Sequence, residues 1–344
     1  MVDDIAATEP LRNNPLNQVT AAVERVTDSQ GRSRIRKALR RPRPDSAPGP
    51  WAGSTDPRAW NYWHREVDAY QSDELRQSLG AAGFAVPEAT VEETAEGAVL
   101  WLDDVPGTPG TEFDLADHVA VAEALGRWQA PGPLVRPWTS KRFLRDYSTS
   151  RPAPWHLVDD DEAWRQPLIA DLWPAGLRDG WRRLLAQQQH LLEVMERLPR
   201  TRSHLDLWVS NEIRRTDGTV VLLDWAFAGD GATGEDLGNH LPDAVFDLFW
   251  PAERLAELEQ ACFAAYESGL RDEGWTGDPR LLRLGVVASA VKYAWLLPRL
   301  LASAGAREHQ AYHRGAEPGH LYQQRGLALW HLVGWCDEAL SLLA

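Results

Sequence analysis

Four polar side chains in the second half of the chain have the types and the spacing of a phosphoryl-transfer site. His204, Asp206 and Asn211 fit the pattern H-x-D-x-x-x-x-N, in which the aspartate accepts the proton of an attacking hydroxyl group and the asparagine binds magnesium. Asp224 follows a polar turn and the apolar run TVVLL, so a hairpin can bring its carboxylate to the same point. Because magnesium prefers oxygen ligands, we expect Asn211 and Asp224 to bind it. A loop with a capping aspartate and a turn asparagine is the structural alternative.

The segment that begins at Asp224, DWAFAGDGATGEDL, contains a tryptophan, several glycines and then an Asp-Leu pair. Together with the H-x-D-x-x-x-x-N loop, it resembles the aminoglycoside phosphotransferase and choline kinase-like family of the protein-kinase-like superfamily. The resemblance implies that Asp224 is a metal ligand and that Asp236, at a helix start, braces the catalytic loop. His204 belongs to this catalytic set, where bracing the loop is a better role for it than proton transfer. The DFG and APE motifs of eukaryotic protein kinases are missing from the sequence, which points away from a conventional protein kinase.

A site of this kind also needs a lysine on an upstream strand, paired with a glutamate on a helix, to hold the nucleotide phosphates. The chain has three lysines, and only Lys37 lies in its amino-terminal part. Ile35, Lys37 and Leu39 alternate onto one face, as a strand requires. Glu66 is the expected partner, because WNYWHREVDAYQSDEL has the apolar stripe of a helix. The alternative is that Lys37 is one charge of a solvated basic run.

The expected nucleotide is ATP, with GTP as the alternative. The resemblance implies that backbone groups of Leu102, Asp103 and Val105, in the hinge strand AVLWLDDVPG, contact the adenine edge. An edge strand and turn is the simpler structural interpretation of that segment. A glycine-rich loop over the phosphates is missing, because residues 12–30 contain no glycine. We assign the loop to residues 20–23.

Periodicity changes along the chain from strands to helices. Alternating apolar residues at 15–40 and 91–102 predict strands on either side of the Glu66 helix, whereas residues from Asp114 onward have helical spacing, most clearly at 181–198. A chain of 344 residues, 44% of them hydrophobic, can form more than one lobe. The predicted fold class is therefore α+β. The resemblance implies a protein-kinase-like two-lobed fold, with a small antiparallel β-sheet N-lobe carrying one helix and a larger, mainly α-helical C-lobe.

Domain boundaries follow from the hinge and from composition. The N-terminal nucleotide-binding lobe is assigned to residues 1–104 and the helical C-terminal lobe to 105–344. The C-terminal lobe contains the catalytic loop at 204–211, the metal segment at 224–238 and the acceptor site. Residues 40–57, RRPRPDSAPGPWAGSTDP, are dense in proline, glycine and serine. This composition excludes a continuous helix or a central strand and predicts a flexible insertion in the N-terminal lobe.

Charge gives the first indication of the phosphate acceptor. The net charge of −14 argues against a nucleic-acid partner and makes a cationic small molecule easier to accommodate. The resemblance places the acceptor site in a C-terminal-lobe insertion that holds the acidic residues Asp159, Asp160, Asp161 and Glu162. Asp243 and Asp247 are further candidates for binding the amino groups of a sugar or polyamine. A solvated acidic loop is the alternative interpretation of the run.

Other features predict a cytoplasmic protein without a membrane span. No signal peptide is expected near the N-terminus, and Cys262 and Cys336 lie in apolar helical stretches where reduced thiols are expected. The apolar run LGVVASAVKYAWLLPRLL, in a helix predicted near 280–303, is interrupted by Lys292 and Arg299, which favours a buried core helix. The sequence contains neither a CxxC motif nor a histidine cluster, so a zinc site is not expected. The oligomeric state does not follow from the sequence.

These features predict an ATP- and Mg²⁺-dependent phosphotransferase that moves the γ-phosphoryl group to a hydroxyl group of a small molecule. An aminoglycoside, an amino alcohol or a related antibiotic or metabolite would fit. A kinase that phosphorylates Ser or Thr of a peptide in a biosynthetic pathway is an alternative with the same catalytic residues. A second alternative is a degenerate pseudokinase that binds a nucleotide or a partner, because the glycine-rich loop is missing.

Overall fold

The structure, a computed structural model, describes residues 5–14, 16–43, 49, 51–306 and 316–344. Its strands are β1 (Ile5–Pro10), β2 (Thr20–Asp28), β3 (Ser33–Arg40), β4 (Phe84–Ala85), β5 (Ala89–Thr94), β6 (Gly97–Asp103), β7 (Thr108–Pro109), β8 (Arg200–Ser203), β9 (Glu212–Arg214), β10 (Val220–Leu222) and β11 (Gly229–Ala232). Its α-helices are α1 (Arg65–Tyr70), α2 (Asp73–Ala82), α3 (Leu115–Gln129), α4 (Phe143–Ser150), α5 (Asp161–Trp164), α6 (Pro167–Ala170), α7 (Leu177–Arg197), α8 (Glu235–Phe246), α9 (Leu255–Asp272), α10 (Pro279–Ala288), α11 (Leu296–Ser303) and α12 (Pro318–Leu343).

The N-terminal lobe is built on a five-stranded antiparallel sheet in the order β1-β2-β3-β6-β5. Lys37 lies in β3, where it is paired with Val23 of β2 and Leu100 of β6. Leu39 and Leu100 are buried in the same core as Val67 of α1. The rest of the chain is mainly helical, so the predicted α+β class, with an antiparallel sheet in the N-terminal part and a helical C-terminal part, is confirmed.

The segment before Lys37 differs from the prediction in two ways. Residues 20–23 lie within β2, because they pair with β3, and the assignment of the phosphate-covering loop to them is wrong. The loop between β1 and β2 is residues 11–19, apart from residue 15, which lies outside the described residues. Asparagine side chains order this glycine-free loop, since Asn14 Oδ1 accepts from the Leu16 N–H at 3.0 Å.

The N-terminal lobe has two short helices where one is predicted. Ser72 separates them, because its side chain accepts a hydrogen bond from the Leu75 N–H at 3.2 Å and starts α2. Gly83 ends α2 in the left-handed region, with φ of 94°. Glu66 lies in α1, buried against the sheet.

Two short strand pairings in the second half of the chain place the predicted catalytic segments. β8 leads into the catalytic loop and pairs with β11, while β9 and β10 form the hairpin between Asn211 and Asp224. Gly218, with φ of 88°, forms the turn of this hairpin. The Leu223 N–H donates to the Asn211 carbonyl at 2.8 Å, so the two ends of the hairpin are tied together.

The helical lobe surrounds these segments with a close-packed core. Helices α3 and α9 approach closely at Gly126 and Gly269, where a Cβ atom on either glycine would overlap the backbone of the other helix. Among the described residues, one helical stretch, Pro279–Ser303, has the length and hydropathy of a membrane span, and 78% of its most apolar part is buried inside the protein. Burial of this kind is typical of a core helix.

The helix predicted near 280–303 is interrupted in its middle. A 3₁₀ helix, Ser289–Tyr293, separates α10 from α11. Pro298 has no N–H to donate to the carbonyl of Ala294 four residues earlier, and Trp181 Nε1 donates to that carbonyl at 3.3 Å. The interruption matters because the 3₁₀ helix carries Lys292.

The insertion at 40–57 is not a flexible segment at its C-terminal end. Residues 44–48 and 50 lie outside the described residues, but Trp51 is only 3% exposed. Its ring packs 5.3 Å from Trp60 and 5.3 Å from Tyr147, measured between centroids. The prediction of flexibility is wrong for Trp51, because composition in Pro and Gly says nothing about where a large indole is buried.

The packing of Trp51 gives a stability test. Trp51→Ala should lower the free energy of unfolding by about 3 to 5 kcal/mol, because it removes a buried indole from an aromatic cluster. Trp155→Ala is the matched control, since Trp155 is 40% exposed, and it should change stability by less than about 0.5 kcal/mol. Urea unfolding measures both. Equal unfolding midpoints for the two variants would show that the insertion is loosely attached.

Candidate active site

A buried lysine lies between two carboxylates at the junction of β3, α1 and the metal segment. Lys37 Nζ is 2.7 Å from Glu66 Oε2 and 2.9 Å from Asp224 Oδ1. Burial disfavours the charged lysine, but the carboxylates of Asp224 and Glu66 together raise the pKa of Lys37. Burial would also raise the pKa of Asp224, and Lys37 reverses that effect, so the pKa of Asp224 is lowered. The group therefore holds a fixed positive charge and an ionised carboxylate.

The catalytic loop holds Asp206 and Asn211 together. Asn211 Nδ2 donates to the Asp206 carbonyl at 3.0 Å and lies 3.4 Å from Asp206 Oδ2. Asp206 is half-buried, so the residue is partly open to solvent. Burial raises the pKa of Asp206 to about 6, with a smaller opposing contribution from Lys292. At neutral pH the carboxylate is mostly ionised and can accept a proton.

Asp236 fixes the backbone of the catalytic loop from inside. Its Oδ1 accepts from the Leu205 N–H at 2.7 Å, and its Oδ2 accepts from the His204 N–H at 2.8 Å and from Gln129 Nε2 at 2.8 Å. Leu205 has φ of 66°, a strained conformation for a leucine, and these bonds hold it. Burial raises the pKa of Asp236 to about 7, and the two backbone donors oppose that shift.

The His204 ring lies behind the loop. It is buried 4.5 Å from the Trp225 ring, measured between centroids, and its Nε2 is 2.9 Å from the Leu223 carbonyl. Burial lowers the pKa of His204 to about 4, so the ring is neutral and Nε2 donates to that carbonyl. This contact links the loop to the residue before Asp224, which is a positioning role.

Asn211 and Asp224 have the chemistry of magnesium ligands. Because Asn211 uses its amide nitrogen to bind the Asp206 carbonyl, its Oδ1 is oriented for a ligand. The Asp224 side chain is 40% exposed despite its contact with Lys37. Two or three oxygen ligands beside substrate phosphates are typical of magnesium, so the residues present fit this ion. No group of three or more His, Cys, Asp or Glu side chains with metal-binding geometry occurs in the described residues.

Comparison with known proteins decides the family. A model of the phosphotransferase enzyme family matches residues 24–277, which is most of the chain. The chain belongs to the phosphotransferase enzyme family. The family predicted from the motifs is therefore confirmed, and the protein is a phosphotransferase. No curated protein sequence matches this phosphotransferase.

Several solved structures are similar to this phosphotransferase in fold. Amicoumacin kinase hAmiN is 17% identical, with 88% of this chain and 84% of that chain covered and a TM-score of 0.49. The macrolide 2'-phosphotransferase MphH from Brachybacterium faecium is 18% identical, with 88% and 93% covered and a TM-score of 0.44. Choline kinase LicA from Streptococcus pneumoniae is 14% identical, with 95% and 94% covered and a TM-score of 0.47. At these identities the likeness concerns the fold alone.

A buried relay beneath Asn211 was not recognised from the sequence. His240 Nδ1 is 3.0 Å from Glu212 Oε1, and His240 Nε2 is 2.9 Å from His118 Nδ1. Burial alone would lower the pKa of His240. The neighbouring Glu212 carboxylate has a larger effect in the opposite direction, so the pKa of His240 is raised. Glu212 directly follows Asn211, and the relay therefore anchors the end of the catalytic loop of the phosphotransferase. The sequence offered one signal for this relay: His118 lies on the apolar face of α3, where a buried side chain is expected.

The hinge segment of the phosphotransferase is anchored by a residue outside the predicted set. Asp104 accepts from Arg25 Nε at 2.7 Å and from Ser33 Oγ at 2.6 Å, which joins the hinge to β2 and β3. Leu102 and Val105 are largely buried on either side of it. The Asp103 N–H already donates to the Glu88 carbonyl at 3.0 Å, so this N–H is not a free donor for a base. Adenine contact by the hinge stays a prediction.

The acidic run does not form an acceptor pocket. Asp159 and Asp161 pair with Arg182 and Arg178 in the first turns of α7, both at 2.7 Å. Asp160 caps α5 by accepting from the Glu162 N–H at 2.9 Å. The catalytic loop follows the opposite end of α7, which has 21 residues and is about 30 Å long. These positions do not support the assignment of the run to the acceptor, because it lies at the far end of α7 and Asp159 and Asp161 are paired with arginines.

Two other predicted acceptor residues have different positions. Asp247 is 3.3 Å from Arg325, an ion pair within the helical lobe. Asp243 lies 3.6 Å from Lys292 Nζ, beside the catalytic loop, and both groups act on the pKa of Asp206. The structure thus places Asp243 at the site of the phosphotransferase and adds Lys292, which the sequence showed only as an interruption of an apolar run.

The brace at Asp236 can be tested by stability. Asp236→Ala should lower the free energy of unfolding by about 3 kcal/mol or more, because three buried donors lose their acceptor. Asp217→Ala is the control, since Asp217 caps an exposed turn by accepting from the Thr219 N–H at 2.9 Å. Chemical unfolding curves give both values. A loss below about 1 kcal/mol for Asp236→Ala would contradict the bracing role.

Proposed function

We propose that the protein transfers the γ-phosphoryl group of ATP, with Mg²⁺, to a hydroxyl group of a small molecule. The observation that carries this proposal is the convergence of Lys37, paired with Glu66, on Asp224. The hairpin between Asn211 and Asp224 brings the catalytic loop to the same place. A fixed cation, two oxygen ligands and a carboxylate base are the groups that phosphoryl transfer requires.

In this mechanism each side chain has one task. Lys37 binds phosphate oxygens of the nucleotide, and Glu66 keeps its ammonium group in position. Asp206 orients the acceptor hydroxyl and accepts its proton as the hydroxyl oxygen bonds to the γ-phosphorus. Asn211 and Asp224 would hold magnesium, which would offset the negative charge on the phosphates. The bond to the bridging oxygen of ADP breaks in the same step.

The site favours catalysis over nucleotide binding alone. A pseudokinase has no chemical need for a half-exposed carboxylate that is ionised at neutral pH, and Asp206 is such a group. The peptide-kinase alternative has no specific contact in its favour among the described residues. We also propose a cytoplasmic location, which agrees with Cys262 and Cys336 as buried free thiols.

Removal of the base is the first functional test. Asp206→Asn should lower phosphate transfer by about 10² to 10⁴-fold, because the amide cannot accept the hydroxyl proton. Affinity for MgATP should stay within about threefold, since the amide keeps the shape of the side chain. Coupled ATP turnover and isothermal titration calorimetry measure the two quantities, and EDTA should abolish turnover in the wild-type protein. Wild-type turnover by the variant would remove Asp206 as the base.

The phosphate clamp is tested with a matched lysine pair. Lys37→Ala should weaken ATP binding by about tenfold or more, because it removes the charge that faces the phosphates. Lys141→Ala is the control, since Lys141 is exposed and pairs with Asp230 at 3.3 Å. Thermal melting of both variants separates lost folding from lost binding. Unchanged affinity in folded Lys37→Ala would instead favour Arg34 or Arg36 as the phosphate ligand.

A further inference from the structure

Three cations lie around the rings of Tyr147 and Trp295, on segments far apart in sequence. Arg151 follows α4, Lys292 lies in the 3₁₀ helix Ser289–Tyr293, and Arg299 lies in α11. Trp295 connects two of them, with its ring centroid 3.9 Å from the Arg151 guanidinium carbon and 5.9 Å from that of Arg299. Lys292 Nζ is 5.7 Å from the Tyr147 ring centroid, and Tyr147 shares a buried cluster with Trp51 and with Leu205, the residue before Asp206. The cluster of cations therefore lies beside the catalytic loop.

Carboxylates do not balance this charge. Asp243, 3.6 Å from Lys292 Nζ, offsets one cation, and the carboxylate of Asp206 offsets a second, which leaves one cation in excess. In the described part of the chain, neither Arg151 nor Arg299 forms a salt bridge, and burial together with Arg151 lowers the pKa of Arg299. The protein as a whole has a net charge of −14, so the excess of positive charge at this site is not a consequence of the overall composition.

Aromatic rings hold Arg151 in a fixed place. Its guanidinium carbon is 4.5 Å from the Trp51 ring centroid and 4.7 Å from that of Tyr147, whose hydroxyl accepts a hydrogen bond from Arg151. Arg151 Nε, Trp51 Nε1 and Trp295 Nε1 are buried donors without a hydrogen-bond partner among the described residues. Unpaired N–H groups add partial positive charge to the same region. Such a region attracts an oxyanion and repels an ammonium group.

Part of this cluster lies outside the segment that defines the family. The family model ends at residue 277, whereas Lys292, Trp295 and Arg299 come after it. Trp51 comes from the proline-rich insertion. Substrate specificity is usually carried by such variable segments, while the reaction is carried by the shared ones. The cluster therefore draws residues from the kind of segment that usually carries acceptor recognition.

We propose that the acceptor is an anionic hydroxy compound whose carboxylate or phosphate group binds Arg151 and Arg299 while its hydroxyl group faces Asp206. This inference rests on the proposed function. In the transfer, the hydroxyl oxygen bonds to the γ-phosphorus, the bond from that phosphorus to the bridging oxygen of ADP breaks, and the hydroxyl proton passes to Asp206. The arginines offset the repulsion between an anionic acceptor and the nucleotide phosphates. A cationic acceptor would find Asp243 already paired with Lys292.

Matched compounds that differ only in charge test the proposal with the full-length protein. One series is glucuronate, glucose 6-phosphate, glucose and glucosamine, and the other is glycerate, glycerol 3-phosphate, glycerol and 3-amino-1,2-propanediol. In at least one series, an acid should have kcat/KM about tenfold or more above the neutral and amino compounds. The carboxylate and phosphate members distinguish the two kinds of acid. Preference for a neutral or amino compound would overturn the inference and leave the proposed function intact.

A binding measurement tests the proposal if no compound is phosphorylated. With the nucleotide site saturated by MgAMP-PNP, calorimetry should detect an acid of either series more strongly than its neutral and amino partners. If no acid binds and none is phosphorylated, the inference is wrong. A protein that does not bind MgATP at all would instead overturn the proposed function.

Arginine variants connect the preference to the cluster. Arg299→Gln should raise KM for the preferred acid about tenfold and leave KM for MgATP within about twofold, because Arg299 is exposed beside Trp295 and has no part in nucleotide binding in this proposal. Arg299→Lys should recover part of the loss. Arg151→Gln should act in the same direction, and a melting curve reports whether it is folded. Arg197→Gln, an exposed change on α7, is the control. Unchanged KM for the acid in both Arg299→Gln and folded Arg151→Gln would contradict the proposal.

Discussion

The active site depends on one buried cation. Lys37 is enclosed by the N-terminal sheet, and a lysine in that environment is stable as a charged group only beside carboxylates. Glu66 from α1 and Asp224 from the metal segment supply them, at 2.7 and 2.9 Å. One ion-pair group therefore joins β3, α1 and the segment after β10, which lie in different lobes. The charge balance needed for folding is the same balance that places a cation beside a magnesium ligand.

A second constraint acts on the backbone. Leu205 and Asp224 both have positive φ, of 66° and 56°, and such conformations persist only when the surrounding structure holds them. Asp236 holds Leu205 by accepting hydrogen bonds from N–H groups of the catalytic loop. Lys37 holds Asp224 by donating to the Asp224 carboxylate. Between them, the His204 side chain joins the loop to the Leu223 carbonyl. The strain is thus distributed over contacts that also orient the catalytic groups.

The sequence was informative where function depends on local spacing. Asp206 and Asn211 share one loop, and a short hairpin leads to Asp224, so a motif was enough to predict that they converge. Lys37 could be chosen only because the chain has so few lysines. Arg151 was not found, because Trp51 and Trp295 come from two distant segments and no local pattern shows that they surround it. The acidic run gained no support as an acceptor site, and its composition does not show that α7 provides arginines as partners for Asp159 and Asp161.

Lys292 shows how the two halves of the site are coupled. Burial raises the pKa of Asp206, and Asp224 and Asp243 raise it further, whereas Lys292 lowers it. A base at this position is useful at neutral pH only if its pKa stays near or below that pH. Lys292 is held by Asp243 at 3.6 Å and is placed by the 3₁₀ helix that interrupts the apolar run. The break in that helix therefore has a chemical consequence: it puts a cation where the catalytic carboxylate needs one to remain ionised.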